Sequence, residues 1–264
     1  MTVSIAAIPE TVRDEVETRL RKIEEREDVR FLLAVESGSR AWGFPSPDSD
    51  FDVRFIYVRK RDWYLSISPG RDVIETPLND LIDLNGWDIR KALGLMLRSN
   101  VIVSEWIESP IRYRTDHPQV GILRELADQL FDPVGAMQHY AALGLGQADR
   151  WLSGEDAVPV KKYFYALRPA LALRAIRLSD ADRPPMNLQQ LISVCDLPTD
   201  LTEAISELVA LKALTNEKSN GRRFPLLDEF IAAELTRDSP KRKAAQNDEQ
   251  VALANSFFRQ LFAG

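Results

Sequence analysis

The stretch from Phe31 to Val58 constrains this chain more than any other. A short apolar run, Phe31-Leu32-Leu33-Ala34-Val35, is closed by Gly38, and a polar connection from Ser37 to Ser49 leads into Phe51-Asp52-Val53-Arg54-Phe55-Ile56-Tyr57-Val58. The first run is short and flanked by glycine, so it reads as a buried strand rather than a helix. The second is dense in aromatic and β-branched residues and reads as another strand. The chain must therefore build a sheet early, with a phosphate-friendly turn and a cluster of acids between two of its strands.

That segment carries the pattern Gly-Ser-x10-Asp-x-Asp, from Gly38-Ser39 to Asp50-Phe51-Asp52. A strand that enters a Gly-Ser turn opening a helix leaves backbone N–H groups unpaired at the positive helix end, which suits a triphosphate. Gly38 lets a phosphate approach, Ser39 adds a hydroxyl donor, and Arg40 can supply a bidentate cation. Residues two apart on a strand share a face, so Asp50 and Asp52 project together while Phe51 and Val53 point to the core. Adjacent carboxylates of this kind can hold one or two Mg²⁺ ions, as phosphoryl and nucleotidyl transfer require. A neighbouring strand is expected to supply a third acid. Asp83, in Asp80-Leu81-Ile82-Asp83-Leu84, is the first choice; Asp88 is second, because it suits the cap of the following helix.

An EF-hand starting at Asp48 would need Gly at its sixth position and Glu at its twelfth, where the chain has Val53 and Arg59. A P-loop is not supported, because no Gly-x4-Gly-Lys-Ser/Thr occurs. A solvated acidic turn before a strand is the remaining alternative.

Composition narrows the chemistry. With 34 Lys+Arg against 40 Asp+Glu the net charge is −6, so any nucleic-acid binding must rest on a local basic surface. One cysteine, Cys195, and two histidines, His117 and His139, exclude an intramolecular disulfide and a thiolate- or imidazole-rich metal site. A metal, if present, must then be hard and oxygen-ligated, and the acid pair makes Mg²⁺ (or Mn²⁺) the expected ion, with two ions expected. The N-terminus has no basic start and no apolar run reaches membrane-spanning length, so the expectation is a cytoplasmic protein with no membrane partner.

The expected fold is α+β: a small mixed sheet flanked by helices over residues 1–115, followed by a helical domain over 116–264. Val12, Val16, Leu20 and Ile23 mark an amphipathic helix between Glu10 and Arg30. Arg71 to Glu75 and Asp80 to Leu84 are weaker strands around a turn at Pro77-Leu78-Asn79. From Trp87 the pattern turns helical, with later helices near 118–130, 133–151, 159–178, 187–195, 200–214, 225–236 and 245–262, and a polar connector through Lys241-Arg242-Lys243. On the 160–175 helix, Val160, Phe164, Leu167 and Leu171 form an apolar stripe, while Lys161, Tyr165 and Arg168 share another face that could stack a base and hold phosphate. Trp42, Trp87 and Trp106 read as core.

The chain resembles the nucleotidyltransferase superfamily that includes DNA polymerase β, and within it the RNA-repair-pathway DNA polymerase β family. The resemblance rests on Gly38-Ser39-Arg40-Ala41-Trp42-Gly43, Ser49-Asp50-Phe51-Asp52-Val53-Arg54, Gly86-Trp87-Asp88-Ile89-Arg90-Lys91-Ala92-Leu93, Ser99-Asn100 with Glu105-Trp106 and Ser109-Pro110, and Lys162-Tyr163-Phe164-Tyr165-Ala166-Leu167-Arg168-Pro169. It spans roughly residues 30–235; Val101 stands where the family tends to have proline. The resemblance implies that Gly38 and Ser39 hold the triphosphate; Arg40, Lys162, Tyr165 and Arg168 are further candidate nucleotide-binding residues. It implies Asp50, Asp52 and Asp83 as metal ligands and catalytic acids, Asp83 orienting or deprotonating the acceptor. The expected activity is Mg²⁺-dependent transfer of NMP from an NTP, ATP among the candidates, to a hydroxyl of an RNA 3′ end, a protein or a small molecule, with pyrophosphate released. The competing class is a non-catalytic nucleotide sensor or toxin-neutralising module that keeps the fold.

Overall fold

A computed structural model of the chain describes residues 8–68, 70–76, 81–151, 157–179, 182–238 and 247–263. Among these, 8–41, 50–131 and 247–263 form one compact unit, and 42–49 with 132–238 form another.

The first unit is a mixed sheet with helices on both faces. Helix α1 (Glu10–Glu27) buries Val16, Leu20 and Ile23, which recur at helical spacing, and stops at Asp28 in a left-handed conformation that Asp tolerates. Strand β1 (Val29–Ser37) runs into the short helix α2 (Gly38–Trp42), and β2 (Phe51–Arg59) returns antiparallel to β1, pairing Ser37 with Asp52. After α3 (Arg61–Tyr64) come β3 (Val73–Glu75) and β4 (Ile82–Asp88), giving the order β1-β2-β4-β3. Strands β2 and β4 are parallel and β3 is antiparallel to β4. Helices α4 (Ile89–Met96), α5 (Val101–Glu108) and α6 (Gln119–Gln129) follow.

The sheet sorts its side chains by face. Phe31, Ala34, Val53, Phe55 and Tyr57 pack with α1, whereas Leu33, Val35, Ile56 and Val58 pack with Leu93, Trp106 and Leu123. A bulge between Phe31 and Leu33 lets β1 change phase.

The second unit contains α7 (Pro133–Trp151), α8 (Val160–Leu178), α9 (Leu188–Val194), α10 (Thr199–Leu214) and α11 (Pro225–Leu235). A two-stranded ribbon of β5 (Ala157–Pro159) and β6 (Asn220–Arg222) accompanies them. The last helix, α12 (Asp248–Gln260), belongs to the first unit.

Several expectations are corrected here. The division at residue 115 misplaces three segments. Helices α6 and α12 belong with the sheet because Val120, Leu126, Ala254 and Phe257 enter the same core as Leu33 and Ile56. Residues 42–49 belong with the later helices, where Phe44 stacks on Phe164 at 4.0 Å between centroids. Strand β4 runs to Asp88 rather than giving way to helix at Trp87, because Gly86 admits the Phe55 ring. An added Cβ there would lie 2.0 Å from Phe55. The β5–β6 ribbon was not expected, since three-residue strands are too short to show a period. Helix α8 is buried around most of its girth, Arg168 included, so its polar face is narrower than the pattern implied. The Pro77-Leu78-Asn79 turn, Asp80 and Lys241-Arg242-Lys243 lie outside the described residues. No helix among the described residues is long and apolar enough to cross a membrane.

Candidate active site

The β1–α2 junction brings Gly38 against Asp52. Gly38 has φ +65°, a conformation that L side chains rarely adopt, and a Cβ added there would lie 2.0 Å from Asp52 Oδ2. Glycine is therefore required twice, once by the backbone and once by the carboxylate. Ser39 is buried within the same turn.

Asp52 on β2 and Asp83 on β4 are direct partners in the parallel register. Both are one-third exposed or less, at 30% and 33% of their side chains. One arginine spans them: Arg54 Nη2 donates to Asp52 Oδ1 at 2.9 Å and to Asp83 Oδ2 at 2.7 Å. Its Nη1 donates to the carbonyls of Val53 and Asp83, each at 3.0 Å. Arg54 shares its strand face with Asp52, so the period-two argument that found the acids also contained the signal for it. Asp50 immediately precedes β2, and its carbonyl accepts from Arg40 Nε at 3.1 Å. The Arg40 guanidinium lies 4.0 Å from the centre of the Phe51 ring, so it helps seat the start of β2.

Behind this row is a buried acid not expected as a site residue. Glu36, fully buried on β1, accepts from the Asp52 backbone N–H at 3.0 Å and from Tyr113 Oη at 2.5 Å. Burial pushes its carboxyl up to about 7, against the opposing pull of those two donors. Ser109 Oγ donates to the Glu36 carbonyl at 2.6 Å. Tyr113 is distant in sequence, which is why no local pattern revealed the pair.

Asp88 caps α4 by accepting from Arg90 N–H at 2.8 Å, and it accepts from Tyr64 Oη at 2.7 Å. Its role is structural, and Asp83 is the acid placed beside Asp52.

Lys162, Tyr165 and Arg168 belong to the second unit. The Lys162 ammonium lies 5.1 Å from the Tyr165 ring centre. Arg168 is 4.3 Å from the Trp42 ring centre and donates to the Met186 carbonyl at 3.1 Å. Trp42 meets Tyr165 edge-on at 5.7 Å. Nearby, Lys212 is fully buried, donating to Ser46 Oγ at 2.6 Å and Glu217 Oε1 at 2.7 Å. Glu217 also accepts from Ser49 Oγ at 2.5 Å and pairs with Lys161 at 2.7 Å. Burial alone would raise the Glu217 carboxyl, but the lysines and serines hold it down to about 2. This cluster anchors the loop that ends just before Asp50.

Among the described residues no group of three or more His, Cys, Asp or Glu converges closely enough to hold a metal ion as placed. The donor set still suits a hard divalent cation, because Asp52 and Asp83 already gather around one cationic group and offer only oxygen.

The Gly-Ser turn thus stands against Asp52, and Asp83 is the register partner of Asp52 on the parallel neighbour. The family model RlaP, described as the RNA repair pathway DNA polymerase beta family, matches residues 12–260, and the chain belongs to that family. The match extends beyond residues 30–235 at both ends. The chain is similar to a Bacillus subtilis (strain 168) protein described as "Uncharacterized protein YcgL", 38% identical over 238 residues, covering 89% of this chain and 91% of that protein. Membership of the family suggests nucleotidyltransferase activity.

Proposed function

We propose that this chain transfers a nucleoside monophosphate from an NTP to a hydroxyl acceptor and releases pyrophosphate. The observation that carries the reading is the in-register pair Asp52 and Asp83, with Asp52 packed against a glycine that tolerates no side chain. In this reading the turn N–H groups and Ser39 hydroxyl bind phosphate oxygens, and Arg40 adds positive charge. Asp83 accepts the proton as the acceptor oxygen bonds to the α-phosphorus and the bond to pyrophosphate breaks. Asp50, Asp52 and Asp83 would hold Mg²⁺ or Mn²⁺, which neutralises developing charge on the phosphoryl group and acidifies the acceptor hydroxyl. Lys162 and Tyr165, on the second unit, are proposed as nucleotide-binding residues. Arg168, buried against Trp42, is proposed to support Tyr165.

One observation favours the non-catalytic alternative. Arg54 spans Asp52 and Asp83, so the acids already share an internal cation that offsets one of their two charges. The two readings separate on incubation with each α-labelled NTP, Mg²⁺ or Mn²⁺, and RNA, protein or small-molecule acceptors. Label transfer by wild type that is lost in Asp50→Ala/Asp52→Ala supports the enzyme. Equal transfer by both proteins sinks the mechanism, and NTP binding without pyrophosphate release across the acceptors favours a sensor.

A further inference from the structure

At the end of the sheet remote from the acids, a cavity of about 410 Å³ opens where β1 begins and β2 ends. Arg30, Arg59, Lys60 and Arg61 contribute four cations to its lining, against a single acid, Asp28. On a chain with net charge −6 this is a strong local excess of positive charge.

The cations are not equivalent. Arg59 is fixed: its guanidinium donates to the Glu27 carbonyl at 2.7 Å and pairs with the Glu27 carboxylate at 3.3 Å. Lys60 pairs with Asp28 at 2.7 Å, but both side chains are largely in water, where such a pair holds little energy and can exchange partners. Arg30 and Arg61 are exposed, and neither has an ion-pair partner among the described residues. The remaining wall is apolar and rigid. Val58 and Leu261 are buried, and Phe262 packs edge-on against Tyr64 with centroids 5.4 Å apart. Tyr64 is itself tied to Asp88.

An anchored guanidinium, two uncommitted arginines and an apolar wall that includes the Phe262 ring match a ligand with anionic oxygens at one end and an apolar ring at the other. The volume lies within the usual range for small-ligand sites, roughly 300–1,000 Å³. Arg59 lies seven residue steps along β2 from Asp52, about 23 Å at roughly 3.3 Å each, so one bound nucleotide cannot touch both places.

We infer that this cavity is a second nucleotide-binding site, taking the phosphate of a nucleotide on Arg30 and Arg61 and its base against Phe262 and Leu261. The ligand is either a free mononucleotide or one unit of a single-stranded polynucleotide. The inference does not depend on the proposed reaction.

The test uses the full chain with two probes, AMP and a labelled single-stranded oligoribonucleotide of about eight nucleotides. Binding is read by titration, and its place by hydrogen exchange of peptides covering 58–65 and 257–263. The expected result is protection of those peptides by at least one probe. Affinity should fall at least tenfold in Arg30→Glu/Arg61→Glu, with a shallower salt dependence, and be largely retained in Arg30→Lys/Arg61→Lys. If the charge reversal impairs folding, Arg30→Gln/Arg61→Gln gives the same comparison. AMP that binds there and displaces the oligonucleotide assigns a free-nucleotide site; oligonucleotide binding that AMP does not displace assigns a polynucleotide track. Absence of binding, binding that leaves both peptides unprotected, or affinity unmoved by the arginine replacements overturns the inference.

Discussion

Replacing Gly38 with alanine perturbs the site at one atom, and the structure fixes the size of the effect. The new Cβ would lie 2.0 Å from Asp52 Oδ2, whereas ordinary contact begins at 3.4 Å, so the carboxylate must retreat by about 1.4 Å. That movement is incompatible with the 2.9 Å contact from Arg54 and removes Asp52 from its place beside Asp83. The backbone adds its own penalty, since an L residue at φ +65° costs about 1–2 kcal/mol. A melting curve should therefore fall by only a few degrees. Misplacing a catalytic group by about 1 Å can cost about 100-fold in rate, so transfer should drop by at least that factor in the folded variant. The assay is single-turnover transfer of α-labelled NTP at saturating nucleotide, with Asp52→Ala setting the floor. A Gly38→Ala protein that transfers within twofold of wild type would refute the argument that this glycine and this acid form one site.

The acid cluster in the second unit makes an independent prediction. Glu217 is held at about 2, below its ordinary value of 4.5, so its contribution is fully present above pH 4.5 and disappears as pH falls through about 2. With 14% of its side chain exposed, that contribution is on the order of 3 kcal/mol, and Glu217→Gln should remove this part of the acid sensitivity in denaturant midpoints followed against pH. Lys212→Met leaves Glu217 with Lys161, Ser46 and Ser49, and should lower stability by about 1–3 kcal/mol in urea unfolding. Tyr113→Phe removes one donor from the fully buried Glu36 and should cost about 1–3 kcal/mol by the same measurement, with a reduced rate of transfer because Glu36 also holds the Asp52 N–H.

The parts legible in sequence were those governed by local period. The aromatic and β-branched run located β2 from Phe51 on, with Asp52 in it, and helical spacing located α7, α10 and α11 to within about two residues. Asp88 was readable as a cap because capping is a local bond. The parts that escaped depend on tertiary contact. Glu36 and Tyr113 are 77 positions apart, and nothing near either residue announces the other. Residues 42–49 read in sequence as part of a polar connection between two strands, but Phe44 stacks on Phe164 and Ser46 and Ser49 bind Glu217, contacts that only folding creates. Arg54 was visible on the right face, yet its bridge to Asp83 depends on the parallel register of β2 with β4, which no single-strand pattern specifies.

The central claim is that the bond formed is between acceptor oxygen and the α-phosphorus. Parallel reactions with α-labelled and γ-labelled NTP, run with the same acceptor, test it most directly. The account predicts that α-label becomes fixed on the acceptor, that γ-label leaves quantitatively as pyrophosphate, and that both events vanish in Asp52→Ala. γ-Label on the acceptor would contradict it, as would α-label transfer that persists without Asp52.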